Sequence, residues 1–192
     1  MKMKWLIDNL NSGQDNRPDG AKQMTDWMMT HGRGLLIAPT GYGKSGIIFY
    51  YIVQRLRKAI EEGKKLVFTL STPLLVLNDQ FYSDLIEVLT HLNGQPLNRG
   101  NCVFVDNSSV TSDQGATEGW IDPQQQRSIY FFWLGSKHHG SVFNNMSQYL
   151  MSKECPLNKY KKVLYIDGQD LMANTPAGFW SNNFQNAVQL LY

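Results

Sequence analysis

With 192 residues, of which 42% are hydrophobic, the chain is long enough to bury one substantial core, whereas two complete domains would be cramped. Its 12% aromatic and 18% charged residues exclude a disordered or fibrous protein. The formal net charge of +2 does not by itself indicate a nucleic-acid-binding protein, although a local basic stripe would suffice for one.

The beginning of the chain and its two cysteines bear on where the protein resides. The sequence predicts that residues 1–16 form a short lead-in segment before the domain, either helical or loose. Residues 17–192 are predicted to form a single domain. The apolar stretch before Asp8 is too short for a signal peptide, and no window approaches the roughly 18 apolar residues that span a bilayer. Cys102 and Cys155 lie far apart without CxxC spacing, which favours reduced thiols over a disulfide or a zinc site. We therefore expect a soluble, intracellular protein.

Apolar runs alternate with stretches of helical periodicity along the rest of the chain. The runs predict strands at Leu35–Ala38, Lys65–Leu70, Cys102–Asp106, Ser128–Trp133 and Val163–Ile166. The periodic stretches predict helices at Ala21–Thr30, Gly46–Glu62, Pro73–Leu92, Ser141–Met151 and from about Asn182, with a polar loop at Asn107–Arg127. This alternation predicts an α/β fold, in which a parallel sheet has helices on both faces and sites at the carboxyl ends of its strands.

A phosphate-binding loop is predicted where the first strand gives way to the long helix. Gly41 and Gly43 allow backbone angles that turn successive N–H groups inward around an anion. Lys44 supplies a positive charge for the β- and γ-phosphates, and the Ser45 hydroxyl can bind Mg²⁺. The helix that follows directs its N-terminal dipole at the same point. The predicted nucleotide-binding residues are Ala38, Pro39, Thr40, Gly41, Tyr42, Gly43, Lys44 and Ser45.

With alanine in first place, the loop Ala38-Pro-Thr-Gly-Tyr-Gly-Lys-Ser45 resembles the A-x-x-G-x-G-K-[ST] loop of superfamily-two helicases and translocases. The resemblance extends from about Arg17 to the end of the chain and covers the first of the two RecA-like motor domains of that family. It implies a P-loop NTPase fold, ATP and Mg²⁺ as cofactors, and single-stranded DNA or RNA as a partner. A glutamine upstream of the loop reads adenine in many members, and Gln23 is the candidate here.

Two further segments resemble parts of the family that hold the nucleic-acid backbone. Thr72 and Pro73 follow a strand and are succeeded by a helix that contains Gln80. A hydroxyl and helix N-terminal amides can clamp a phosphate, although a Ser/Thr cap with proline in the first turn is an alternative for any helix. Ser136 and Lys137 follow the strand Ser128–Trp133, where such domains place another backbone contact.

The segment Val163–Asp170 corresponds to the family's D-E-x-D/H motif. Asp167, at the end of a strand, is predicted to hold Mg²⁺, usually through water. Gly168 replaces the glutamate that positions the attacking water, and glycine cannot accept a proton. Asp170 is the remaining acidic candidate for that catalytic role. Nucleotide binding is therefore better supported than hydrolysis.

Within these 192 residues there is no room for the second motor domain, which in that family supplies arginine fingers. We therefore expect that a separate chain supplies that half, that the domain only binds nucleotide, or that the sequence is a piece of a longer protein. Two functions are favoured over a third. The first is an ATP-binding helicase-like domain, with or without hydrolysis, that binds single-stranded nucleic acid and works with a separate motor half. The second is a catalytically impaired nucleotide-binding module that recruits a protein partner, for which the loop Asn107–Arg127 is a candidate surface. A kinase-like phosphoryl transferase is a third alternative, without a substrate-binding signature.

Overall fold

Four helices and four strands make up the described part of a computed structural model, which covers residues 2–31, 41–72, 75–93, 102–105, 128–135, 148 and 150–166. The helices are α1 (Lys4–Ser12), α2 (Asp19–Thr30), α3 (Lys44–Glu61) and α4 (Leu75–Thr90). The strands are β1 (Leu66–Thr72), β2 (Cys102–Val105), β3 (Ile129–Gly135) and β4 (Lys161–Ile166).

The strands form a single parallel sheet in the order β2-β3-β1-β4. In β1, the consecutive residues Leu66, Val67 and Phe68 are all buried, as expected for a strand of a parallel sheet that is covered on both faces. Phe68 stacks on Phe131 of β3 with ring centroids 4.9 Å apart. A parallel sheet together with helices gives the α/β class that the alternating sequence pattern predicted.

The described residues divide into two compact units, with boundaries after Gly63 and within α4. The first unit contains α1, α2, α3 and the part of α4 from Phe81 onward. Its core includes Leu6 of α1, Phe49 of α3 and Leu85 of α4, all fully buried. The second unit contains the sheet.

In the first unit, α1 is integrated by polar contacts as well as by its buried leucines. The Lys2 ammonium lies 2.7 Å from Asp84, and the Arg57 guanidinium donates to the Leu10 carbonyl at 3.0 Å. Asn11 donates to the His91 carbonyl. The lead-in that the sequence left as helical or loose is therefore a packed helix.

In the second unit, a turn before β4 is fixed by a lysine. The Lys162 ammonium donates to the carbonyls of Leu157, Asn158 and Tyr160, at 3.3, 2.7 and 3.1 Å. The Tyr160 ring packs edge-on against Tyr130 of β3. These contacts fasten the turn that leads into β4 to the sheet.

The structure refines several boundaries predicted from the sequence. Helix α3 begins at Lys44, two residues before the predicted start, because Gly43 in the left-handed conformation serves as its N-cap. Helix α2 begins at Asp19, directly after Pro18. Strand β1 continues past Leu70 to Thr72, since pairing with β3 extends that far. The strand predicted at 35–38, the loop at 107–127 and the helix from 182 lie outside the described residues.

Candidate functional site

The turn before α3 combines two glycines in a conformation that favours anion binding. Gly41 has φ of 83° and Gly43 has φ of 85°, in the left-handed region that L side chains rarely adopt. Left-handed residues that alternate with ordinary ones bring successive backbone N–H groups to one side of the chain and form an anion-binding concavity. Gly41, Tyr42 and Gly43 are all exposed, so solvent reaches this turn.

The beginning of α3 adds a second source of positive potential. Ile47 N–H donates to the Gly43 carbonyl at 3.2 Å, and no side chain caps the helix start. An α-helix leaves its first N–H groups without intrahelical acceptors, and its dipole adds about half a positive charge there. Lys44 and Ser45 occupy this first turn, which has no acidic residue to compete with an anion; Lys44 is half-buried and Ser45 is exposed.

A cleft of about 470 Å³ lies beside the same turn. The residues that line it are Trp5, Arg17, Pro18, Ala21, Gly41, Tyr42, Gly43 and Ile47, all in the first unit. Such a volume falls within the usual range of small-molecule sites, about 300–1,000 Å³. The glycines that shape the turn therefore also form one side of a cleft of ligand size.

Two glycines allow the aromatic side chains of the cleft to approach the backbone closely. A Cβ on Gly20 would lie 2.6 Å from the Tyr42 hydroxyl, so this tyrosine reaches from the turn to α2. A Cβ on Gly46 would lie 2.7 Å from the Trp5 ring, so the indole rests against the first turn of α3. Trp5 and Tyr42 are nevertheless 47% and 43% exposed, which leaves much of each ring accessible to a ligand.

Arg17, one of the residues that line the cleft, is held by several polar and aromatic contacts. Its Nε and Nη2 donate to the two carboxylate oxygens of Asp15, at 2.8 and 2.6 Å, and Nη1 donates to the Thr25 hydroxyl at 2.6 Å. The guanidinium carbon lies 3.5 Å from the centroid of the Tyr50 ring. The hydrogen bond from Arg17 is the main reason that the pKa of Asp15 lies below its ordinary value. Arg17 therefore joins the segment before α2 to α2 and α3.

Gln23, the residue predicted to read adenine, is exposed on α2 and does not belong to the residues that line the cleft. Ala38, Pro39 and Thr40 of the predicted loop lie outside the described residues. The part of the predicted loop that the structure describes thus runs from Gly41 to Ser45.

In the second unit, the sheet brings together the ends of strands that precede the other predicted sites. Thr72 of β1 pairs with Gly135 of β3, and Ser71 pairs with Ile166 of β4. Because the strands are parallel, these three carboxyl ends share one edge of the sheet. Gln80, in the same unit, is exposed on α4. The predicted residues Pro73, Ser136, Lys137, Asp167 and Asp170, and Gly168, lie outside the described residues.

The sequence did not single out Trp5 as part of a site. It is one aromatic residue in a short segment, and no spacing links it to the loop at Gly41–Ser45. The contact of Trp5 with the start of α3 depends on how α1 packs in the first unit. This packing joins residues that are far apart in the sequence. The one weak signal in the sequence is the helical spacing of Leu6, Ile7 and Leu10, which places Trp5 outside their apolar face but does not indicate what Trp5 contacts.

Within the described ranges, no group of three or more His, Cys, Asp or Glu residues is placed to hold a metal ion. Of the helices that the structure describes, none has the length and apolar character needed to cross a membrane.

No protein-family model matches the chain, and no curated protein or solved structure is significantly similar to it.

Proposed function

We propose that the chain is an ATP-binding domain of the P-loop NTPase type, which holds the triphosphate on Ala38–Ser45. The observation that carries this proposal is the pair of left-handed glycines at Gly41 and Gly43 directly before the 18-residue helix α3. Backbone N–H groups, the helix dipole and Lys44 then act on one anion, and their effects add. The exposed Ser45 hydroxyl fits the role of a Mg²⁺ ligand, while Asp167 retains the magnesium role predicted from the sequence.

The proposed partner is a single nucleic-acid strand that crosses the carboxyl edge of the sheet. The pairing of Thr72 with Gly135 supports this, because the segments that begin at Pro73 and Ser136 then leave the sheet from adjacent strands. Thr72, Pro73, Gln80, Ser136 and Lys137 would contact the phosphates. The protein would then act as a helicase-like ATPase whose hold on the strand depends on nucleotide.

A second function is favoured by Gly168, which stands where the family has its catalytic glutamate. Without a residue to orient water, the domain would bind ATP and recruit a protein partner without appreciable turnover. A phosphate-release assay with and without single-stranded DNA or RNA separates the two functions. Turnover stimulated by nucleic acid supports the helicase-like ATPase, whereas unstimulated background release supports the binding module.

The nucleotide site itself is tested by Lys44→Ala. We expect at least a tenfold loss of ATP affinity by calorimetry, because a desolvated contact between an ammonium and a phosphate contributes a few kcal/mol. Lys58→Ala is the matched control, since it removes the same charge from the same helix about 21 Å further along its axis. Lys58 is exposed in the last turn of α3, and its removal should leave affinity within about twofold. Equal affinities of wild type and Lys44→Ala would refute this placement of the phosphates.

A further inference from the structure

The cleft beside Gly41–Ser45 differs from a surface depression in its composition. Two aromatic rings, Trp5 and Tyr42, lie at its border with nearly half of each side chain exposed. Pro18, Ala21 and Ile47 supply further apolar surface. A site with this lining favours a flat, weakly polar ligand, because aromatic rings stack on planar heterocycles.

The position of the cleft indicates which planar group would occupy it. Gly41 and Gly43 line the cleft and also shape the turn proposed to hold the phosphates. A nucleotide whose phosphates bind at this turn can therefore place its sugar and base next to the aromatic rings. The volume of about 470 Å³ is sufficient for a purine and a ribose.

The polar groups of the described lining do not distinguish one purine from another. Arg17 uses three N–H groups for Asp15 and Thr25, and its guanidinium plane is covered by Tyr50. The Tyr42 hydroxyl and the Trp5 indole N–H lie in the planes of their own rings, so neither is directed at the edge of a base that stacks on those rings. The Tyr42 hydroxyl instead reaches the backbone at Gly20.

We propose that this cleft holds the base of a purine nucleoside triphosphate by stacking on Trp5 and Tyr42, without selecting between adenine and guanine. The inference rests on the proposed phosphate site. A base held by stacking does not require a glutamine that recognises adenine, which agrees with the exposed position of Gln23. Strong discrimination between similar ligands requires fixed donors and acceptors, whereas a stacking surface accepts any aromatic base and holds the larger purine rings most strongly.

The test compares ATP, GTP and inorganic triphosphate, each with Mg²⁺, by calorimetry on the full chain. For the wild type we expect ATP and GTP affinities within about threefold of each other. Both should exceed the affinity for triphosphate by about tenfold, the typical contribution of base stacking on an aromatic ring.

Trp5→Ala should lower the affinities for ATP and GTP by about tenfold each and leave triphosphate binding unchanged. Trp27→Ala is the matched control, because Trp27 is 41% exposed on α2 and does not line the cleft. Trp5→Leu is a second variant with the same expected pattern, because it removes the aromatic face and keeps an apolar side chain against the start of α3. Thermal unfolding of each variant shows whether it remains folded, and a variant that does not is replaced by the other.

The outcomes separate the base site from the phosphate site. A preference of tenfold or more for one purine, or triphosphate binding as tight as ATP binding, overturns the base site and leaves the phosphate site standing. Failure of all three ligands to bind, or an unchanged affinity in Lys44→Ala, refutes the phosphate site itself. Parallel losses for all three ligands in Trp5→Ala show a general distortion of the turn and also overturn the base site.

Discussion

At the scale of single residues, Arg17 shows how a buried cation is stabilised close to a surface site. Its side chain is almost inaccessible, yet a bidentate carboxylate, a hydroxyl and an aromatic face satisfy it. Burial of a charge without such partners would destabilise the folded state by several kcal/mol. Removal of one partner is therefore expected to lower the free energy of unfolding. Asp15 is the partner whose protonation depends on pH.

Replacement of Asp15 by Asn should make the protein less stable at pH 7, with a difference that shrinks in acid. The pKa of Asp15 in the folded state is lower than its ordinary value of 3.8, chiefly because Arg17 hydrogen-bonds to the carboxylate. The stability that the ionised form contributes is therefore fully present above about pH 4 and is lost as pH falls through the lowered pKa.

Urea unfolding of both proteins at intervals between pH 7 and pH 3 measures this difference. Asp8→Asn is a suitable control, because Asp8 pairs with Lys4 on an exposed face of α1 and such pairs contribute little. Parallel stability profiles of wild type and Asp15→Asn over this range would contradict the assigned role of the carboxylate.

The contacts of Arg17 also mark a limit of sequence interpretation at this scale. The resemblance begins at about Arg17, but nothing in the spacing indicates that the Tyr50 ring lies over the guanidinium. The left-handed glycines before α3 were predictable, because one short segment carries both of them. The contacts of Arg17 join the segment before α2 to α2 and α3. They depend on tertiary packing, which a local sequence pattern does not encode.

At the scale of elements, the start of α3 is defined by backbone conformation more than by side-chain capping. Gly43 occupies the N-cap in the left-handed region, where serine, threonine, asparagine and aspartate would be usual with extended backbone angles. No side-chain oxygen then competes with a bound anion for the first N–H groups of the helix. The start of α3 thus lacks a side-chain cap, which ordinarily contributes about 1 kcal/mol of stability. A bound anion would supply the hydrogen-bond acceptors that such a cap provides.

Gly41→Ala and Gly43→Ala should each destabilise the folded protein by about 1–2 kcal/mol, because an L side chain is strained in the left-handed region. Each should also lower the affinity for ATP by about tenfold, since relief of that strain turns N–H groups away from the anion. Chemical denaturation and calorimetry measure the two effects separately.

Gly63→Ala provides the comparison, because Gly63 also has a positive φ, of 62°, but follows the other end of α3. It should show the same loss of stability with unchanged ATP affinity. If Gly63→Ala and Gly43→Ala weaken binding equally, the effect reflects general destabilisation and the turn has no special role.

Among the elements, the strands were the most predictable. The apolar runs at 65–70, 102–106, 128–133 and 163–166 each overlap a strand, because a buried parallel strand requires nearly continuous apolar residues. α1 was harder to interpret, since a helix of nine residues has a weak periodic signal and gains its stability from tertiary packing. Its buried residues Leu6 and Leu10 became evident only with their neighbours in place.

At the scale of the whole molecule, the alternation of strands and helices predicted a parallel sheet, but not its order. The order β2-β3-β1-β4 places β4 beside β1, although most of the sheet-forming chain separates them. Such pairings join residues distant in sequence, and their choice depends on global packing that no local window contains. The prediction that sites lie at the carboxyl ends of strands is general to open parallel sheets, and here it selects one edge.

That edge leads to a prediction about nucleic acid. The ends of β1 and β3 are adjacent, so a strand bound there would meet both Thr72 and the segment that begins with Ser136. If Lys137 neutralises one phosphate, Lys137→Ala should weaken binding of single-stranded DNA or RNA. It should also reduce the slope of log affinity against log salt by about 0.7, because one fewer counterion contact is released.

Gln80→Ala should weaken binding without changing that slope, since an uncharged contact releases no counterion. Lys159→Ala removes an exposed lysine of the same unit that precedes β4 at the opposite, amino end of the strand, and should change neither quantity. Fluorescence anisotropy over a series of salt concentrations measures affinity and slope together. Equal slopes for Lys137→Ala and Lys159→Ala would show that the phosphate contacts do not lie at this edge. ATP binding at Gly41–Ser45 would then be coupled to something other than a nucleic-acid strand that crosses the sheet.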